Sequence, residues 1–82
     1  MIKESAILFE GTVYTGRRHH DVIRKIIQET GVKKVGGQHP QGFVTDTGEF
    51  VDREQAAKIA LECGQIEKLK YSSTLLFSED LY

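Results

Sequence analysis

Apolar and polar positions repeat with two different periods along this chain, and each change of period marks an element. Ile7-Leu8-Phe9-Glu10-Gly11-Thr12-Val13-Tyr14 is dense in aliphatic, aromatic and β-branched residues and closes on Thr15-Gly16. It predicts one strand, with Gly11 as a bulge or a close backbone approach. At 100° per residue Val22, Ile23, Ile26 and Ile27 then share one face, which predicts a helix that opens within Gly16-Arg17-Arg18-His19-His20-Asp21 and stops at Gly31. His19 falls at the centre of the apolar face and His20 at its boundary. Arg17, Asp21, Arg24 and Gln28 lie on another side, and Asp21 with Lys25 forms an i,i+4 pair.

Residues 32–35 are too short a run to assign, and residues 36–42 read as a loop, the one place where a flexible lid could sit. Phe43-Val44-Thr45 and Glu49-Phe50-Val51 flank Asp46-Thr47-Gly48, a three-residue hairpin connection with glycine in the left-handed position. Asp52-Arg53-Glu54-Gln55 is a capping box that opens a second helix, ended by Gly64, with Ala56, Ile59, Ala60 and Cys63 as its inner face. Residues 74–77 suggest a last strand. Residues 78–82 suggest a turn capped by Ser78, which folds back on its own chain or reaches a neighbouring copy. The expected fold class is α+β: one domain over residues 1–82, with a small antiparallel sheet, a β-hairpin and two main helices.

Composition narrows the setting. With 39% hydrophobic and 28% charged residues and one proline, the chain is an ordinary globular domain, too small for a large private core. Its lone Cys63 suits a reducing cytosol, and no apolar run or leader pattern directs it to a membrane or out of the cell. A cytoplasmic location is therefore expected. The net charge of −1 argues against a nucleic-acid polymer as partner. The charge is nevertheless polarised: residues 1–37 carry seven Lys/Arg against four Asp/Glu, or +3, and residues 38–82 four against eight, or −4. Such polarity allows head-to-tail attraction between copies, and a homo-oligomer is expected.

The candidate chemistry sits at the first helix start. Arg17, Arg18, His19 and His20 put positive charge where the helix dipole is already positive, a placement that costs a few tenths to about 1 kcal/mol unless an anion is bound there. Guanidiniums suit bidentate phosphate contact. Against this stand a solvated helix start for the two arginines and a core-edge histidine satisfied by a backbone carbonyl for His19. Arg53 repeats the oddity at the second helix. Adjacent histidines point about 100° apart, so no metal site is expected. No catalytic residues are assigned either, because no nucleophile elbow, Walker loop or H-x-T/S pair occurs. No cofactor is expected.

Gly16-Arg17-Arg18-His19-His20, Gln41-Gly42-Phe43, Phe50-Val51-Asp52-Arg53 with Ala56-Ala57, Gly64-Gln65 and Ser78-Glu79-Asp80-Leu81 together resemble a small protein family of bacteriophages, prophages and bacteria. The resemblance covers the whole chain and implies a phage setting. In that setting an 82-residue protein could sequester a nucleotide second messenger of bacterial immunity, as a sponge without turnover. It could instead inhibit a host protein directly, or hydrolyse a nucleotide with His and Arg. The first reading makes Arg17, Arg18, His19, His20, Gln41, Phe43 and Arg53 the ligand-binding set and a phosphorylated small molecule the partner.

Overall fold

In the computed structural model, which describes residues 1–36 and 39–81, the first apolar run turns back on itself. Glu10 and Gly11 both have positive φ, 47° and 80°, the backbone of a two-residue hairpin turn whose twist matches that of its strands. The expected single strand is thus two: β1 (Ile2–Phe9) and β2 (Thr12–Gly16), paired antiparallel from Phe9↔Thr12 to Ser5↔Gly16. Gly11 is a turn residue rather than a bulge. The misreading has a local cause, since Glu-Gly lacks the Asn or Asp that usually announces such a turn.

Helix α1 (His19–Thr30) follows, stopped by left-handed Gly31 at φ 76°. Its N-cap is Arg18, so Arg17 and Arg18 precede the first turn instead of lying within it. Lys25 leaves Asp21 and donates to the Thr15 carbonyl. Strand β3 (Gln41–Thr45) takes in Gln41 and Gly42, expected as loop, because β1 pairs with them at Ile7↔Gln41 and Ala6↔Gly42. The hairpin to β4 (Phe50–Asp52) forms as expected, with Gly48 at φ 86°. Helix α2 (Arg53–Glu62) opens on the full capping box of Asp52 and Gln55. Ala57 joins Ala56 and Ala60 inside, while Cys63 is exposed. Residues 74–77 form no strand, and α3 (Ser78–Leu81) is one short turn. Gly37 and Gln38 of the expected lid, and the terminal Tyr82, lie outside the described residues.

The sheet order is β2-β1-β3-β4, antiparallel throughout, giving the expected α+β class. Both main helices pack on one face of it. Ser5, Ile7 and Phe9 alternate onto that face, and register places Tyr14, Phe43 and Val51 there too. Helix α1 covers Ile7 and Phe9 with Val22 and Ile26, joined by Val35. Helix α2 covers Ile2, Phe43 and Val51 with its alanines, joined by Leu76 and partly by Leu81. Small alanines let α2 lie close, which a three-residue β4 requires.

Polar side chains rather than secondary structure hold the chain after α2. Gln65 lends its amide to the Ile2 backbone as a strand would, accepting from Ile2 N and donating to Ile2 O at 2.8 Å each. Asp80 is buried and accepts from Lys70 N and Phe77 N, both at 2.9 Å. It therefore closes α3 from its third position, and Ser78 lies inside the turn instead of capping it.

Two outcomes follow for stability. A Cβ at Gly42 would fall inside contact distance of the Val51 carbonyl oxygen, backbone that cannot swing away. Gly42→Ala should therefore lower unfolding free energy by about 3 kcal/mol or more, read as the urea midpoint. Removing residues 78–82 strips Asp80 from two partly buried N–H groups and partly buried Leu81 from the edge of the core. The melting temperature should fall by several degrees, and an unchanged value would mean that the turn contributes nothing.

Candidate functional site

Helices α1 and α2 run apart from nearly the same point on the sheet. The chain enters α1 held by Ser5, whose fully buried hydroxyl donates to the Arg17 carbonyl at 2.9 Å. One residue into the helix, His19 reaches the sheet centre: its Nε2 lies 2.7 Å from the Gly42 carbonyl oxygen. A carbonyl only accepts, so Nε2 carries the proton and donates. The ring meets Phe43 edge-on at 5.0 Å. Asp52, opposite Gly42 in the register, starts α2, so Arg53 emerges beside the same spot.

Arg53 is the most engaged side chain of the group. One terminal nitrogen donates to Leu76 O at 2.9 Å and the other to Gln41 Oε1 at 2.8 Å. Its guanidinium carbon lies 4.7 Å from the Phe77 ring centroid and 6.0 Å from that of Phe43. These contacts desolvate the cation, and its pKa falls from the ordinary arginine value, against the opposing pull of Glu79. The same neighbourhood acts on His19. Burial and, next, the Arg53 charge lower its pKa to about 4, while the Gly42 bond and Glu79 pull the other way. His19 is therefore a neutral imidazole at neutral pH.

Of the seven residues named from sequence, the structure joins four by contact: His19, Gln41, Phe43 and Arg53. Arg17, exposed, and Arg18, half-buried, adjoin them along the chain. His20 is exposed and turns to Asp21, with Nε2 3.3 Å from its carboxylate. No side chain caps α1, and Asp21 is the one acid in its first turn; because Arg17 and Arg18 stand before that turn and His19 within it is neutral, the expected run of positive groups inside the turn does not form. Phe43 is fully buried beneath the cluster. Sequence reasoning missed Ser5, Leu76 and Phe77. Ser5 lies before the predicted strand and gave no signal of its own; the others are brought in only by the C-terminal segment.

A family model described as Phage T4 y16D protein matches residues 1–82. The chain belongs to that family. The phage resemblance carried by the Gly16–His20 and later motifs agrees with it. Neither a curated protein nor a solved structure matches the chain. Among the described residues, no helix is long and apolar enough to cross a membrane, and no group of three or more His, Cys, Asp or Glu is placed to hold a metal ion. Two surface grooves, of about 290 Å³ beside Gln65 to Lys70 and about 150 Å³ between α2 and Leu69, are lined by none of the seven residues.

The His19 environment has a consequence for pH. Between about 4 and 6.5 the unfolded chain takes up a proton that the folded chain refuses. The stability that neutral His19 contributes is thus complete above pH 6.5 and lost as pH falls toward 4, by about 3 kcal/mol. Urea unfolding of wild type and His19→Gln from pH 4 to 7 checks this. The variant keeps an N–H donor and should lose most of the slope; parallel curves would place the pH dependence elsewhere.

Proposed function

We propose that the protein binds a phosphorylated small molecule, a nucleotide second messenger of bacterial anti-phage immunity, and sequesters it without turnover in the host cytosol. The observation that carries this reading is the meeting of the two helix starts at Gly42, with Arg53, His19 and Gln41 in one contact network and Arg17 and Arg18 leading into it. Helix starts present positive partial charge and backbone N–H groups, and uncapped α1 is flanked by arginines where carboxylates would be favourable. Membership of a phage family supports the setting. The ligand lies across the surface at the helix starts. Arg17, Arg18 and His20 contact its phosphates, Arg53 and Gln41 close one side, and His19 and Phe43 support the site from beneath. Neutral His19, committed through Nε2 to Gly42, is a poor general acid, which favours binding over cleavage. A homo-oligomer forms part of the same reading.

A thermal-shift screen against cyclic dinucleotides, cyclic ADP-ribose isomers and mononucleotides tests it, because ligand at about a hundred times Kd stabilises by roughly 2.7 kcal/mol. Arg17→Ala and Arg18→Ala should keep the circular dichroism of the wild type and weaken binding of the nucleotide so identified by about tenfold to a hundredfold each. The nucleotide recovered after denaturation should be intact by chromatography. A screen with no shift, or variants that bind as well as wild type, would rule out this site.

A further inference from the structure

His19 has two ring nitrogens, and the fold uses one of them. The Nε2 hydrogen goes to the Gly42 carbonyl at 2.7 Å, so in the neutral ring Nδ1 holds a lone pair and can only accept. Among the described residues nothing donates to it. Every buried side-chain nitrogen or oxygen of those residues has a hydrogen-bond partner, so an unpartnered Nδ1 stands at the surface, although His19 as a whole is 8% exposed. The two nitrogens lie on opposite flanks of the ring. With Nε2 aimed down at the sheet, Nδ1 faces outward between the starts of α1 and α2.

The same accounting fixes the amide beside it. Arg53 donates to Gln41 Oε1 at 2.8 Å, which turns the Gln41 NH2 group away from the guanidinium as a donor. It too lacks a partner among the described residues, so half-buried Gln41 keeps its N–H groups at the surface. Acceptor and donor are neighbours, because His19 holds the carbonyl of Gly42, the residue after Gln41. A cation adjoins them: Arg53 has N–H groups to spare beyond those given to Leu76 and Gln41.

This pattern discriminates between the parts of a ligand. A phosphate oxygen without its proton only accepts, so it suits Arg53 and the arginines before α1 and is refused by Nδ1. A hydroxyl both donates and accepts, and can engage Nδ1 and the Gln41 amide together. Since both groups adjoin the cation, that hydroxyl belongs on the sugar that carries the phosphate. We infer that His19 Nδ1 accepts a hydrogen bond from a sugar hydroxyl beside a bound phosphate, with the Gln41 amide donating to the same oxygen, so that the site takes ribonucleotides in preference to 2′-deoxyribonucleotides. The inference rests on the nucleotide reading above and gives His19 a specificity role within it. A deoxy ligand would cover Nδ1 without pairing it, the arrangement that a polar site rejects most strongly.

Titration calorimetry and nitrogen NMR of the imidazole, both on the full chain, test this. The probes are cyclic di-AMP, cyclic di-GMP and adenosine 3′-monophosphate, each with its 2′-deoxy counterpart, and inorganic phosphate. At least one ribo form should bind about tenfold or more tighter than its deoxy counterpart and move the His19 Nδ1 resonance, which phosphate and the deoxy forms leave in place. His19→Gln keeps an N–H for Gly42 but removes the ring acceptor, and should bring the two forms within about twofold of each other. Ribo and deoxy forms bound equally, or phosphate bound alone, overturn the inference and leave the phosphate site standing. An Nδ1 resonance that moves for the deoxy forms also overturns it, because a base N–H is then the donor. Binding of no probe at all overturns the ligand reading and this inference together. The ligand comparison and the resonance need only wild type, so they decide even if the variant fails to fold.

Discussion

The hydrogen bond from His19 Nε2 to the Gly42 carbonyl is the tie on which the arrangement of this protein turns. It fixes the start of α1 over the middle of the sheet, at a residue where the neighbouring Val51 carbonyl leaves room only for glycine. Because β1 and β3 meet there and β4 hands over to α2 opposite it, one carbonyl relates both helices to the sheet. A buried imidazole that must stay neutral to donate without penalty is a demanding choice at this position. It couples the packing of the domain to pH, and it puts the nearby Arg53 charge under the same constraint.

Arg53 and Asp80 serve a second structural need. The chain beyond α2 has one short helical turn and no strand to pair its backbone, although Ile66, Leu69, Leu76 and Leu81 pack against the core among the described residues. Charged side chains therefore satisfy its backbone, Arg53 at Leu76 and Asp80 at Lys70 and Phe77, with the Gln65 amide doing the same for Ile2. Hydrogen bonds to charged groups contribute about 1.5–3 kcal/mol each when partly buried, more than neutral ones. A small domain with two separate apolar clusters gains from such ties. Arg53 thus belongs both to the fold and to the proposed ligand surface, whereas Arg17 and Arg18 lie outside both core clusters and separate the two roles experimentally.

The two faces of the sheet divide the remaining chemistry. The helix side carries the buried cluster and the positive approach through Arg17 and Arg18. The other side carries Ala6 and Val44, both buried, with half-buried Leu8 and Phe50 and exposed Val13 around them.

Sequence alone determined the elements whose signals are local. The α1 stripe and its Gly31 stop, the Asp46-Thr47-Gly48 hairpin, the α2 capping box and the inward position of His19 were all legible, since each depends on residues within a turn or two of one another. Of the candidate site, the basic and histidine-rich residue types at the start of α1 were legible as well, though not that Arg17 and Arg18 precede the first turn or that His19 is neutral. Tertiary structure decided the rest. Glu10-Gly11 became a turn because β1 continues back to Ile2 and needs β2 beside it, and Gln41-Gly42 became strand because β1 offered it a partner. Residues 74–77 are no strand: the Leu76 and Phe77 backbone groups bond to Arg53 and Asp80 instead of to a neighbouring strand. The meeting of His19, Gln41 and Arg53 could not be read from spacings of 12 to 34 residues: it depends on two helices starting from one point of the sheet, and strand order fixes that point.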